Sequence, residues 1–215
     1  MRRIPVALLC AASLLPGLAA CKIVKTPTAS EQGAAGDATG DTARAETRVA
    51  ETFDAQLIPF IDEKAVPVAD LRAAVAAGLD AAGAAHGTRG AGAGAAWNFP
   101  VKGEGRVVEA ALDTRARTLA LDTDGDGAAD LTLQLGPVVK GTALRDVAPF
   151  YNFDDFRDQI EFAKLARGLN DRASAGITLP AGDPTGRMVR FAGAVPLRAA
   201  GEAMLVTPIR VEVLP

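Results

Sequence analysis

The chain has 215 residues, 49% hydrophobic, 23% charged and 5% aromatic, with a formal net charge of −3, two cysteines and one histidine. That is room for one globular domain or two small ones, and the apolar share is too high for a chain that stays unfolded throughout. A lone His86 excludes a histidine-rich metal site, and Cys10 with Cys21 can build neither a zinc cluster nor a disulfide framework.

Met1-Arg2-Arg3 is followed by an uncharged apolar run, Val6 to Leu15, then Pro16-Gly17 and the small residues around Ala19-Ala20. This is the three-part layout of a secretory signal, and it is shorter than the roughly 20 apolar residues a bilayer span needs. Leu18-Ala19-Ala20-Cys21 resembles the lipobox of bacterial lipoproteins at all four positions. The resemblance implies that the Cys21 thiol carries a diacylglycerol, that residues 1–20 are removed, and that Cys21 becomes the first residue. Two or three acyl chains hold a protein at a membrane far better than one. Cys10 leaves with the signal, so no free thiol remains. Losing Arg2 and Arg3 and no acid takes the charge from −3 to −5, which argues against a nucleic-acid partner. Lys22 stands after Cys21 where an Asp would retain the protein at the inner membrane. By resemblance to that sorting rule, the expected location is periplasmic, with the outer membrane favoured over the inner.

Residues 21–48 are poor in large apolar side chains and read as a flexible tether. Residues 49–96 read as a helical subdomain: Phe53, Leu57, Phe60 and Ile61 recur at helical spacing, Pro59 disturbs the turn, and Leu71, Val75 and Leu79 give the stripe of a second helix over Asp70–Ala82. The Gly/Ala-rich stretch Ala81–Ala96, with His86 and Arg89, reads as a loop. Residues 97–215 change period. Val108, Ala110 and Leu112, then Leu119 and Leu121, then Leu131, Leu133 and Leu135 alternate with more polar neighbours and predict three half-buried strands joined by Asp/Gly-rich turns. A helix is expected over 152–170, opening at Asn152 with Asp154 and Asp155 in its first turn and Phe156, Ile160 and Ala163 as its stripe. Two strands follow, Met188–Val195 and Met204–Leu214, the latter with Ile209, Val211 and Val213 inward. Three strands, a helix and two strands is the order of an OB-like β-barrel, with the helix between strands three and four; an open sheet with one helix across it fits the same pattern. The expected class is α+β.

Gly136 through Asp146, with Phe150, Phe153, Phe156, Gln159-Ile160-Glu161 and Leu169-Asn170, resembles a family of predicted periplasmic lipoproteins, DUF2291. Asn98 through Gly105 and the start Cys21-Lys22-Ile23-Val24 are also similar to it. The resemblance covers most of the mature chain and implies an accessory role near sugar ABC transport. It carries no catalytic residue over. Arg157-Asp158 departs from the amide-rich stretch usual there.

Two constellations are candidates for chemistry. Asp122, Asp124, Asp126 and Asp130 stand at positions 1, 3, 5 and 9 of a loop with Gly127 at 6, the spacing of a calcium loop, but Leu133 replaces the closing Glu. The loop reads either as a weak calcium site or as a hairpin turn. Lys140, Thr142, Arg145, Asp146, Asn152 and Gln159 lie near five of the ten aromatics and read either as the lining of a sugar or other small polar ligand site or as a structural lock between loop and helix. Ser30 and Ser174 are the only serines outside the signal, Cys21 is acylated, and no triad can be assembled, so the expectation is a non-enzymatic accessory or binding lipoprotein that needs no cofactor. The alternative is a structural module stiffened by calcium.

Overall fold

In the computed structural model, residues 36, 38–90 and 94–215 are described. Cys21 and most of the expected tether lie outside them. The tether expectation is shortened by α1 (Asp41–Thr52), whose Ala45, Val49 and Thr52 are buried at a helical period. A single π-turn, Phe53–Leu57, continues the helical run into α2 (Ile58–Lys64), and Pro59, which has no N–H to give the ladder, stands just after it. After β1 (Val66–Pro67) come α3 (Val68–Ala77) and α4 (Leu79–His86).

Helix α4 overturns the expectation of a loop from Ala81 onward. A Cβ on Gly83 would stand 2.2 Å from the Trp97 ring, so the missing side chain is what lets α4 seat its backbone on that ring. The small residues mark a close helix contact and not a slack segment. A short β2 (Thr88–Arg89) then leads to β3 (Trp97–Ala111), 15 residues long, where alternation had predicted only the part near Val108–Leu112.

Strands β4 (Thr118–Asp122), β5 (Leu131–Gln134), β6 (Met188–Leu197) and β7 (Met204–Val213) complete the sheet. The observed order is the expected one: three strands, helix, two strands. Pairing runs β3–β4–β5–β7–β6, and β6 returns to β3 over ten register pairs, Trp97↔Leu197 to Arg106↔Met188, so the circuit closes. Every contact in it is antiparallel except β5–β7. Inward residues Phe99, Leu119, Leu121, Leu133, Val189, Phe191 and Val206 form one core, and Val68, Leu71 and Val75 of α3 belong to it. Ile209 departs from its expected inward place. It is the extra residue of a bulge opposite Ala192/Gly193 and turns to the outer face, while Val211 and Val213 stay against the inner core.

The expected helix over 152–170 is two elements. Asn152 caps only a 3₁₀ turn, Phe153–Asp155, accepting from the Asp154 N–H. After a short α5 (Ala143–Asp146) and that turn, α6 runs Gln159–Gly176, and Asp158 caps it by accepting from the Ile160 and Glu161 N–H groups. Its buried side is Leu165, Leu169 and Ala173, whereas Ile160, counted in the predicted stripe, is 63% exposed. These α6 residues pack with Leu57 and Ile61 and with the outward Ala194 and Ile209, forming a second core on the flank of the strand circuit. The helices before residue 96 therefore have no core of their own; each shares one with the strands or with α6.

Candidate functional site

The acidic loop between β4 and β5 is ordered by its own backbone. Asp122 is buried, and its carboxylate accepts from the N–H groups of Gly125 (2.6 Å), Gly127 (2.9 Å) and Asp124 (3.2 Å). The Gly125 bond foremost, with the other N–H donors, holds its pKa below the usual carboxylate value. Asp130 accepts from the N–H and hydroxyl of Thr123. Carboxylate oxygens of Asp122, Asp124 and Asp130 come within 4.8 Å of one another; Asp126 is not in that group and accepts from the Ala128 N–H. Arg72 of α3 supplies a cation to this loop, 2.7 Å from Asp130 and 3.2 Å from Asp124. A guanidinium from a helix 50 residues earlier in sequence thus offsets part of the negative charge of this loop. Leu133, at the closing position, is buried in β5.

The polar run 140–159 is turned inward on itself. Thr142 donates to Asp146 (2.5 Å), Arg145 pairs with Asp146 (2.7 Å), and Arg145 also donates to the Phe162 carbonyl while its guanidinium lies 3.7 Å from the Phe162 ring centre. These contacts fasten α5 to α6. Lys140 contributes its backbone N–H and C=O to the Gln134 side chain, while its ammonium makes no contact among the described residues. Asn152 is used as a cap, and Gln159 is exposed at the start of α6. Thr142, Arg145 and Asp146 are thus joined to one another, and the bonds of Lys140 and Asn152 run to other partners.

Two constellations have weak sequence signals. Asp41, fully buried, receives Arg157 through two bonds (2.8 and 3.2 Å), Arg44 at 2.6 Å and Lys164 at 3.6 Å, and buried Glu161 accepts from Arg44 at 2.6 Å. The Arg157 hydrogen bond foremost holds the Asp41 carboxyl below its usual range. This cluster ties the start of α1 to the start of α6. Nothing in a sequence with 49 charged residues marks those five as partners.

The second is a cleft of about 280 Å³ on the outer face of β3, β6 and β7, walled by Asp62 of α2 and Pro67 of β1. Outward residues form two rows across the strands: Lys102–Ala192–Arg210 and Glu104–Arg190–Glu212. Arg190 bonds Glu104 (2.7 Å) and Glu212 (3.3 Å), and Arg210 bonds both oxygens of Asp62 (2.9 and 3.1 Å). Lys102 has no ion pair among the described residues. The alternation of charge at 102/104 and 210/212 was the available signal; the pairing of the strands was not.

None of the described helices is long and apolar enough to cross a membrane. The fold is similar to the crystal structure of an OB-fold protein from Thermotoga maritima, with TM-score 0.59, 15% identity, and coverage of 84% of this chain and 99% of that one. Comparison with curated proteins finds no match. The family described as predicted periplasmic lipoprotein (DUF2291) matches residues 11–212. From the apolar run of the signal through the lipobox-like cysteine to the last strand of the closed circuit, this chain belongs to that family of predicted periplasmic lipoproteins.

Proposed function

We propose that this chain is a lipid-anchored accessory or binding lipoprotein of the periplasm that acts without catalysis beside a sugar ABC transport system, anchored in the outer membrane. The observation that carries the reading is Leu18-Ala19-Ala20-Cys21 at the head of a chain that belongs to a periplasmic lipoprotein family. The closed strand circuit, its single parallel contact between β5 and β7, and the OB-fold neighbour support an OB-like five-stranded barrel carried behind the anchor.

The non-enzymatic reading is supported by how the reactive groups are used. The Ser174 hydroxyl is buried and donates to the Leu135 carbonyl, and His86 is exposed at the end of α4. Asp158 caps α6, Glu161 is held by Arg44, and Asp155 lies 3.7 Å from Arg48. Three of the four acids between 154 and 161 are thus already engaged in a cap or an ion pair, which leaves less for two-carboxylate hydrolysis to use. Labelling growing cells with radioactive palmitate tests the anchor. The parent protein is expected to take up label and Cys21→Ser none, and a parent that takes up no label overturns the reading.

A second reading, a structural module stiffened by calcium, rests on the proximity of Asp122, Asp124 and Asp130. For a site in the millimolar class, 10 mM calcium is expected to raise the melting temperature by about 3 °C over chelator, and by more in Arg72→Ala, whose acids lose their resident cation. No shift in either protein removes the metal.

A further inference from the structure

We propose that the cleft over Ala192 binds a small organic monocarboxylate, with the carboxylate held among Lys102, Arg190 and Arg210 and a short apolar body lying toward Pro67. This rests on the reading of the chain as a binding lipoprotein and names the ligand's chemistry.

The cleft exists because coverage of the outer face stops at one point. Ala194 and Ile209 are covered by Leu57 and Ile61 of the second core. Beyond the end of α2 the chain passes into β1, and the next outward position on β6, Ala192, stands at the edge of that core, 7% exposed, where it also lines a cavity of about 280 Å³. That volume lies at the small end for ligand sites and suits a molecule of a few carbons better than an oligosaccharide.

Three cations border Ala192. Lys102 is its register partner on β3, Arg210 is its register partner on β7, and Arg190 stands two residues earlier on the same face of β6. With strands about 4.8 Å apart, the Lys102 and Arg210 backbones are separated by about 10 Å, a gap that one carboxylate group bridges and a longer side chain at 192 would close. The donors are not all spent. Arg190 uses Nε and Nη1 on Glu104 and Glu212, leaving Nη2; Arg210 uses Nη1 and Nη2 on Asp62, leaving Nε; Lys102 keeps its whole ammonium, all counted among the described residues.

The charge balance selects the class. Asp62, Glu104 and Glu212 neutralise three cations, so the empty rim is neutral and a monoanion leaves it at −1. A phosphate dianion would be drawn to the same donors but repelled by three nearby carboxylates. Pro67, Ala192 and the strand backbone at Gly103 and Phe191 give the ligand's body an apolar bed and no aromatic stacking face, since Phe191 is 2% exposed.

Calorimetric titration of the full mature chain in neutral detergent with butyrate tests this, with inorganic phosphate and 1-butanol as controls. One butyrate per chain is expected to bind, with weaker or no binding of both controls. Lys102→Gln should weaken butyrate by about tenfold or more, the loss of one charge-assisted contact. Ala192→Leu should abolish binding by filling the gap, and unchanged melting of Lys102→Gln shows that the loss is local. The proposal is overturned if butyrate gives no heat, if Lys102→Gln binds it as the parent does, or if phosphate binds more tightly. Its failure is separable from that of the wider reading. A monosaccharide that stabilises the protein when no acid binds leaves a binding lipoprotein without this site. A parent protein that takes up no palmitate removes the anchor and leaves the cleft untouched.

Discussion

Asp41 opens α1, and its chemistry makes a pH prediction. Its carboxyl, and that of Asp122, are held below the usual value of 3.8, foremost by the Arg157 hydrogen bond in one and the Gly125 N–H in the other. A carboxyl whose folded pKa is depressed contributes stability that is present above its unfolded pKa and lost as pH falls through the folded one. The melting temperature is therefore expected to drop as pH is lowered below about 4. Asp41→Asn should melt lower at neutral pH and show a shallower acid dependence, because one of the depressed carboxyls is gone. An identical acid slope in the variant would assign the dependence elsewhere. None of this was legible in the sequence, since Arg157 and Asp41 are 116 positions apart. The polar run at 140–159 was visible as a run; that Arg145 and Asp146 spend themselves on each other and on Phe162 became visible only with α5 and α6 in place.

At the level of elements, strands were easier to read than helices for a physical reason. Half-buried strands must alternate, so Leu119, Leu121, Leu131 and Leu133 declared themselves, and all four are buried. Helix α6 was misphased because Asn152 with Asp154 and Asp155 imitates a helix start and does cap a turn, while the true cap is Asp158. The corrected phase is testable by paired truncations. Leu169→Ala, from a fully buried site, is expected to cost about 2–5 kcal/mol. Ile160→Ala, from a site 63% exposed, should stay within about 0.5 kcal/mol. Denaturant unfolding compares them, and equal losses would restore the earlier phase. Helix α4 was hidden for a different cause: its contact with Trp97 needs absence of bulk at Gly83, and periodicity reports only bulk.

Over the whole molecule, the segments that read as separate domains share their cores. Leu71 and Val75 of α3 lie with Leu121 and Leu133, and Leu57 and Ile61 lie with Leu169 and Ala194. Residues 41–215 are accordingly expected to unfold in one cooperative transition, with calorimetric and van't Hoff enthalpies equal. Two resolved transitions would restore the division near residue 96. The order of strands and helix was legible because it follows from local pattern. The closure of the circuit was not, because the ten pairs of β3 with β6 join segments about 90 residues apart.

The position of Asp41 also decides how force enters the protein. About twenty residues separate Cys21 from α1 and span at most about 70 Å, which bounds how far α1 stands from a bilayer that holds Cys21. Within α1, the buried carboxylate of Asp41 is gripped by Arg157, Arg44 and Lys164. Pull that reaches α1 is thus shared with α6 through the Arg157 and Lys164 bonds, so the two helices resist it together.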